Sequence, residues 1–147
     1  MKSQYILKKY KDDDYEFIYD VKKNSYKKYV EQCWGKWDEK EQRERFKDFI
    51  EKTSDRIYII VVNNVKIGFY QGLDVNERTY FIENICIIPK YQGKGIGTEI
   101  LKAKIKEHSN KSIEIQYFKQ NPVGKLYERL GFEPNGETEF HYQMIKR

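Results

Sequence analysis

The sequence predicts a mixed α/β (α+β) fold, with a mainly antiparallel central sheet flanked by helices in the order β-α-α-β-β-β-α-β-α-β. Two observations predict it. RIYIIVV and VKIGFYQGL flank the pair Asn63-Asn64, and two asparagines between β-rich runs read as a tight hairpin. Residues 79–117 then read as strand, crossover helix, strand, a unit whose two strands are expected to run parallel.

Each element has a local reason. Residues 4–9, QYILKK, read as a short first strand. DDDYEFIYDVKKN carries acids at its start and lysines at its end, which suits the helix dipole, and Phe17, Ile18 and Val21 share a face. SYKKYVEQCWGKW reads as a further helical segment ending near Gly35. Asp38–Glu41 has the form of a capping box for the helix that carries Phe46, Phe49 and Ile50. After the hairpin, the turn DVNE leads to the strand RTYFIENICII, and TEILKAKIKEH reads as a helix near residues 96–108. SIEIQYF alternates as a strand at Ile113, Ile115 and Tyr117. Asn121-Pro122 opens the short helix VGKLYERL, which Gly131 stops. ETEFHYQMIK reads as a last strand.

The chain has 147 residues, which fits one domain over residues 1–147. Hydrophobic residues make up 39% and charged residues 35%. No apolar run approaches the roughly 20 residues that span a bilayer. The first residues lack the apolar stretch of a signal peptide, so the expected compartment is the cytoplasm and no membrane partner is expected. Cys33 and Cys86 match no metal spacing and read as free thiols. His108 and His141 have no Cys or His beside them, so no metal is expected. The net charge of +5 suits an anionic ligand. The lysines are scattered, and no arginine-rich tract points to nucleic acid.

The stretch YQGKGIGTEI, residues 91–100, concentrates the chemistry. Glycines at 93, 95 and 97 lead from a strand into a helix. A helix N-terminus offers unpaired N–H groups and partial positive charge, and a glycine-rich entry lets a phosphate reach them. The plainer alternative is a tight turn that binds nothing. GxxxxGK[ST] is absent, because Lys94 is followed by Gly95. GxGxxG fails too, since the third glycine of GKGIG comes too early and no acidic residue ends a second strand about twenty residues on.

Gln92-Gly93-Lys94-Gly95-Ile96-Gly97 does match [QR]-x-x-G-x-[GA], and Asn121-Pro122-Val123-Gly124-Lys125-Leu126-Tyr127-Glu128-Arg129-Leu130-Gly131-Phe132 ends in the form LYExLGF. Together these resemble motifs A and B of the GNAT superfamily of N-acetyltransferases, and the element order agrees over nearly the whole chain. The resemblance implies acetyl-CoA as co-substrate, its pyrophosphate lying on the N–H groups of residues 93–98, with Gln92, Gly93, Lys94, Gly95, Ile96, Gly97 and Thr98 at the cradle and Lys90 and Lys94 attracting the anion. It implies that the main chain of Ile85, Cys86 and Ile87 holds the pantetheine arm and that the Ile87 N–H faces the developing oxyanion; the same strand can also be ordinary core.

Tyr127 stands at the motif B tyrosine. A phenol with a pKa of about 10 can protonate a thiolate leaving group; otherwise it is a packing residue, one of 13 tyrosines. Glu83 is either the base for the amine, directly or through water, or an exposed strand residue. Asn121 caps the last helix and is a candidate ligand contact. Many GNAT sequences have an alanine and one further residue between the Asn and the Leu-Tyr pair, and here the segment is one residue shorter, with Gly124. Tyr29, Trp34 and Trp37 are expected to fill the interface between the early helices, the alternative being that their aromatic faces pack around an acceptor amine or stack with a cation. The acceptor is then a small-molecule amine or a protein amine, and the protein a monomer or homodimer. The alternative is a non-catalytic acyl-CoA-binding or sensing module.

Overall fold

Asn63 and Asn64 both adopt left-handed backbone, with φ of 50° and 65°. That is the conformation of a type I′ turn, whose twist matches the strands it joins. The hairpin is thus set by two residues that tolerate positive φ. The computed structural model describes residues 4–147. The elements in chain order are β1 (Ile6–Lys9), α1 (Tyr15–Trp34), α2 (Glu39–Thr53), β2 (Ile57–Val62), β3 (Val65–Asn76), β4 (Thr79–Ile87), α3 (Ile96–Glu107), β5 (Ser112–Phe118), α4 (Gly124–Arg129), β6 (Glu133–Glu137) and β7 (His141–Lys146). The strands form a seven-stranded sheet in the order β1-β2-β3-β4-β5-β7-β6. β4 and β5 pair in parallel, Thr79–Ile82 against Ser112–Ile115, as the crossover reading expected.

One compact unit runs to Gln71 and includes Asn84–Gly97. Ile18 and Val21 of α1, Phe46 and Ile50 of α2, and Ile57 and Ile59 of β2 form its core. α1 is a single helix of 20 residues, where the sequence suggested two segments. Asn24 and Ser25 at the expected break carry only modest helix penalties, and neither Gly nor Pro interrupts the run. Half of the expected capping box forms at α2. Asp38 Oδ1 accepts from the Glu41 N–H at 3.1 Å, but the Glu41 carboxylate accepts from Arg45 at 2.9 Å.

The other unit comprises Gly72–Glu83 and Thr98–Arg147. β3 extends to Asn76, so the second turn falls at Glu77-Arg78 rather than at DVNE. Asn76 Oδ1 accepts from the Arg78 N–H at 2.8 Å and holds it. The C-terminal segment holds two strands where the sequence suggested one. β6, EPNGE, is exposed at every position and pairs with β7 through a register shift between Pro134 and Gly136. An edge strand can carry Pro and a bulge, and without a buried face it shows no alternation to read. His108 stacks on Tyr80 with centroids 3.6 Å apart, a packing role.

Candidate functional site

The path from β4 to α3 is tightly specified. The Ile88 N–H donates to the Ile67 carbonyl at 2.8 Å, and the turn Pro89–Tyr91 closes with the Gln92 N–H on the Pro89 carbonyl at 3.1 Å. Gln92 Nε2 donates back to the Ile87 carbonyl at 2.7 Å. The side chain of Gln92 therefore ties the loop to the strand. Gly93 and Gly95 have φ of 73° and 84°, with Lys94 between them at negative φ. Alternation of this kind turns successive N–H groups toward a common concavity suited to an anion. A Cβ at Gly93 or Gly95 would meet nothing within 4 Å, whereas at Gly97 it would stand 3.4 Å from Ile87 Cδ1. Two of the three glycines thus serve backbone conformation over an open cradle, and the third lies in contact range of Ile87. Ile96, 2% exposed, anchors the start of α3. Lys90 and Lys94 are exposed beside the loop. The left-handed glycines and the open space over them, at the start of α3, leave room for a pyrophosphate.

The strand before the loop is held as closely. At Gly68 of β3 a Cβ would fall 2.0 Å from the Cys86 carbonyl oxygen, so the two backbones approach to a distance only glycine permits. Ile85 and Ile87 are half-buried, and Cys86 is buried. Burial pushes the Cys86 thiol pKa up, which leaves it protonated and argues against a covalent acetyl-cysteine. Cys33 and Cys86 are both free.

Four of the sequence-derived candidates belong to the other unit. Glu83 is half-buried and follows the last paired residue of the β4–β5 ladder, Ile82. Thr98 is half-buried in the first turn of α3. Tyr127 is buried, edge-on to Tyr117 with centroids 5.6 Å apart. Asn121 does not cap α4. Val123 is the N-cap, and Asn121 Oδ1 instead accepts from the Val123 N–H at 3.2 Å, an Asx turn that delivers the chain to the helix. Gly124 has a packing reason, since a Cβ there would fall 2.4 Å from Tyr117 Oη.

Among the early aromatics, Tyr29 is buried and Trp37 is half-buried, but Trp34 is 58% exposed at the end of α1 and does not fill the helix interface. Trp37 Nε1 donates to Glu39 at 2.9 Å. Hydrogen bonds from Lys23 and Tyr19 hold the Glu39 carboxyl at about 2, so Glu39 stays ionised and organises the α1–α2 junction. Sequence reasoning missed Gly68, Gln71, Asn84 and Tyr26. A glycine inside a strand and an amide within an apolar run were the available signals.

Residues 16–132 match the acetyltransferase (GNAT) family. The chain belongs to the GNAT acetyltransferase family. It is 34% identical over 85 residues to the spermine/spermidine N(1)-acetyltransferase of Bacillus subtilis, covering 53% of this chain and 56% of that protein. Over 92% of this chain and 62% of the relative, it is 25% identical to an uncharacterized N-acetyltransferase of Methanocaldococcus jannaschii. The chain thus spans 56% and 62% of the length of these two curated relatives. Among solved structures, the PaiA N-acetyltransferase of Thermoplasma acidophilum, in complex with coenzyme A, superposes with a TM-score of 0.71 at 18% identity, over 98% of this chain and 99% of that one. An N-acetyltransferase from Staphylococcus aureus Mu50 gives 0.75 at 14% identity, over 95% and 99%. These likenesses establish the GNAT fold for this chain. Among the described residues no helix is long and apolar enough to cross a membrane.

Proposed function

We propose that this GNAT protein is an acetyl-CoA-dependent N-acetyltransferase that acts by direct transfer to a primary amine. The observation that carries the reading is the pair of left-handed glycines, Gly93 and Gly95, opening a concave main-chain cradle at the start of α3. The bound coenzyme supplies an acetyl thioester. In the reaction the amine nitrogen bonds to the acetyl carbon, the carbon–sulfur bond breaks, the amine loses a proton and the thiolate gains one. The Ile87 N–H donates to the oxyanion, an interaction worth several kcal/mol in acyl transfer. Tyr127 gives the thiolate its proton, and Glu83 takes the amine's proton, directly or through a water. The partial B. subtilis relative is named for spermine and spermidine, which makes a small aliphatic polyamine the first acceptor to test.

The test is calorimetric titration with acetyl-CoA, coenzyme A, ATP and NAD in parallel, followed by thiol release with spermidine and other amines. Binding of acetyl-CoA and coenzyme A alone is the expected result. Folded protein that binds none of the four overturns the reading, and binding without thiol release over a broad amine panel favours an acyl-CoA sensor. Tyr127→Phe is expected to keep the acetyl-CoA Kd within about threefold while lowering kcat about 100-fold. Full activity in that variant would remove Tyr127 as the acid.

A further inference from the structure

Gln71 on β3 is 0% exposed, and its Nε2 has no hydrogen-bond partner among the described residues. The rest of its amide is engaged. Gln71 Oε1 accepts from Asn84 Nδ2 at 2.7 Å. Asn84 Oδ1 accepts from the Tyr26 hydroxyl at 2.9 Å. Tyr26 Oη in turn accepts from the Cys86 thiol at 3.3 Å. Donation thus runs one way, from Cys86 through Tyr26 and Asn84 to Gln71. In a low-dielectric interior such bonds polarise one another.

This chain is a poor way to build stability. An unpaired amide N–H in a core is costly, and a methionine of similar size at Gln71 would remove that group, although it would also take the acceptor from Asn84 Nδ2. Buried polar groups that break local rules tend to mark functional sites. The place is informative as well. Asn84 and Cys86 flank Ile85 on β4, so their side chains pin its main chain to Gln71 on β3 and Tyr26 on α1. The Cys86 carbonyl lies against Gly68, and the Ile87 carbonyl accepts from Gln92. Every residue from Asn84 to Ile87 except Ile85 is thus held by its own contact. Preorganised donors help catalysis only when they are held close to the required geometry.

We propose that Cys86, Tyr26, Asn84 and Gln71 form a positioning relay that holds the Ile85–Ile87 main chain in the geometry that polarises the acetyl thioester carbonyl. The relay rests on the coenzyme reading above. It makes Tyr26 and Gln71 positioning residues that act through Asn84.

The experiment uses the full chain with acetyl-CoA carrying a carbon-13 carbonyl, whose NMR shift reports carbonyl polarisation with no acceptor present. Wild-type binding is titrated first. Wild type is expected to move the carbonyl signal downfield on binding. Gln71→Met relieves one unpaired donor and orphans Asn84 Nδ2, so it is expected to change the thermal midpoint by no more than about 5 °C, keep the acetyl-CoA Kd within about threefold, and lose at least about half of that shift. Tyr26→Phe, which removes only the hydroxyl, is expected to lose it similarly. With spermidine as acceptor, kcat is expected to fall about tenfold in both variants at unchanged KM.

A full shift in both variants overturns the relay and leaves the coenzyme reading intact. So does a shift lost only in step with Kd and thermal midpoint, the mark of a structural role. Wild-type protein that binds no acetyl-CoA overturns the coenzyme reading, and the relay falls with it.

Discussion

Gly68→Ala is expected to lower the thermal midpoint by about 10 °C. The added Cβ would lie 2.0 Å from the Cys86 carbonyl oxygen and 3.0 Å from both the Cys86 carbonyl carbon and Ile87 Cα. All three are main-chain atoms, so no rotamer change relieves the contact. One strand must move, and β3 and β4 are tied just beyond this point by the Ile88 N–H on the Ile67 carbonyl at 2.8 Å. Overpacking costs about 1–3 kcal/mol, more when backbone has to shift. At about 3 kcal/mol, a chain of this size loses roughly 10 °C. The sign makes the prediction sharp, because Ala in place of Gly inside an ordinary strand stabilises by roughly 0.5–1 kcal/mol. Scanning calorimetry decides between them. A raised midpoint would mean that the two backbones are farther apart than the Gly68–Cys86 contact requires. Acetyl-CoA affinity is expected to weaken too, because movement of either strand alters the contact between Gly68 and the Cys86–Ile87 main chain.

What the sequence made legible was local. The Asn63-Asn64 turn, the strand Ser112–Phe118 and the helix opening after the glycines are each written in adjacent residues, and the structure places them where the pattern did. The two family motifs were legible for the same reason. The features that escaped depend on partners far along the chain. Tyr26 and Asn84 are 58 residues apart, and nothing in either neighbourhood announces the other. Gly68 reads as one weak β-former among good ones until the Cys86 carbonyl is laid against it. β6 escaped for a different reason, since EPNGE has no buried face and owes its strand conformation to β7. The supposed break at Asn24-Ser25 overestimated propensity, which tertiary burial of Ile18, Val21 and Tyr29 along the same helix outweighs.

Gly95→Glu is expected to abolish acetyl-CoA binding, by about 100-fold or more, in a protein that still folds. The structure separates the two halves of that expectation. No atom lies within 4 Å of a Cβ at Gly95, so the added Cβ meets no steric barrier in the protein itself. What it does meet is a φ of 84°, which costs a non-glycine residue about 1–2 kcal/mol. The thermal midpoint should therefore fall by only about 5 °C. The ligand has a larger objection, because the carboxylate and its stem would project into the cradle where a pyrophosphate is expected to sit. One charge repels, and the added bulk displaces the anion from the N–H groups. Gly95→Asn serves as the control, since Asn tolerates the left-handed region best after glycine and adds no charge. It is expected to fall between wild type and Gly95→Glu in affinity while matching wild type more closely in stability. Calorimetric titration at two salt concentrations completes the comparison, with wild-type affinity falling as salt screens the anion. If Gly95→Glu binds acetyl-CoA as wild type does, the anion does not lie on this loop, and the left-handed glycines only turn the chain from β4 into α3.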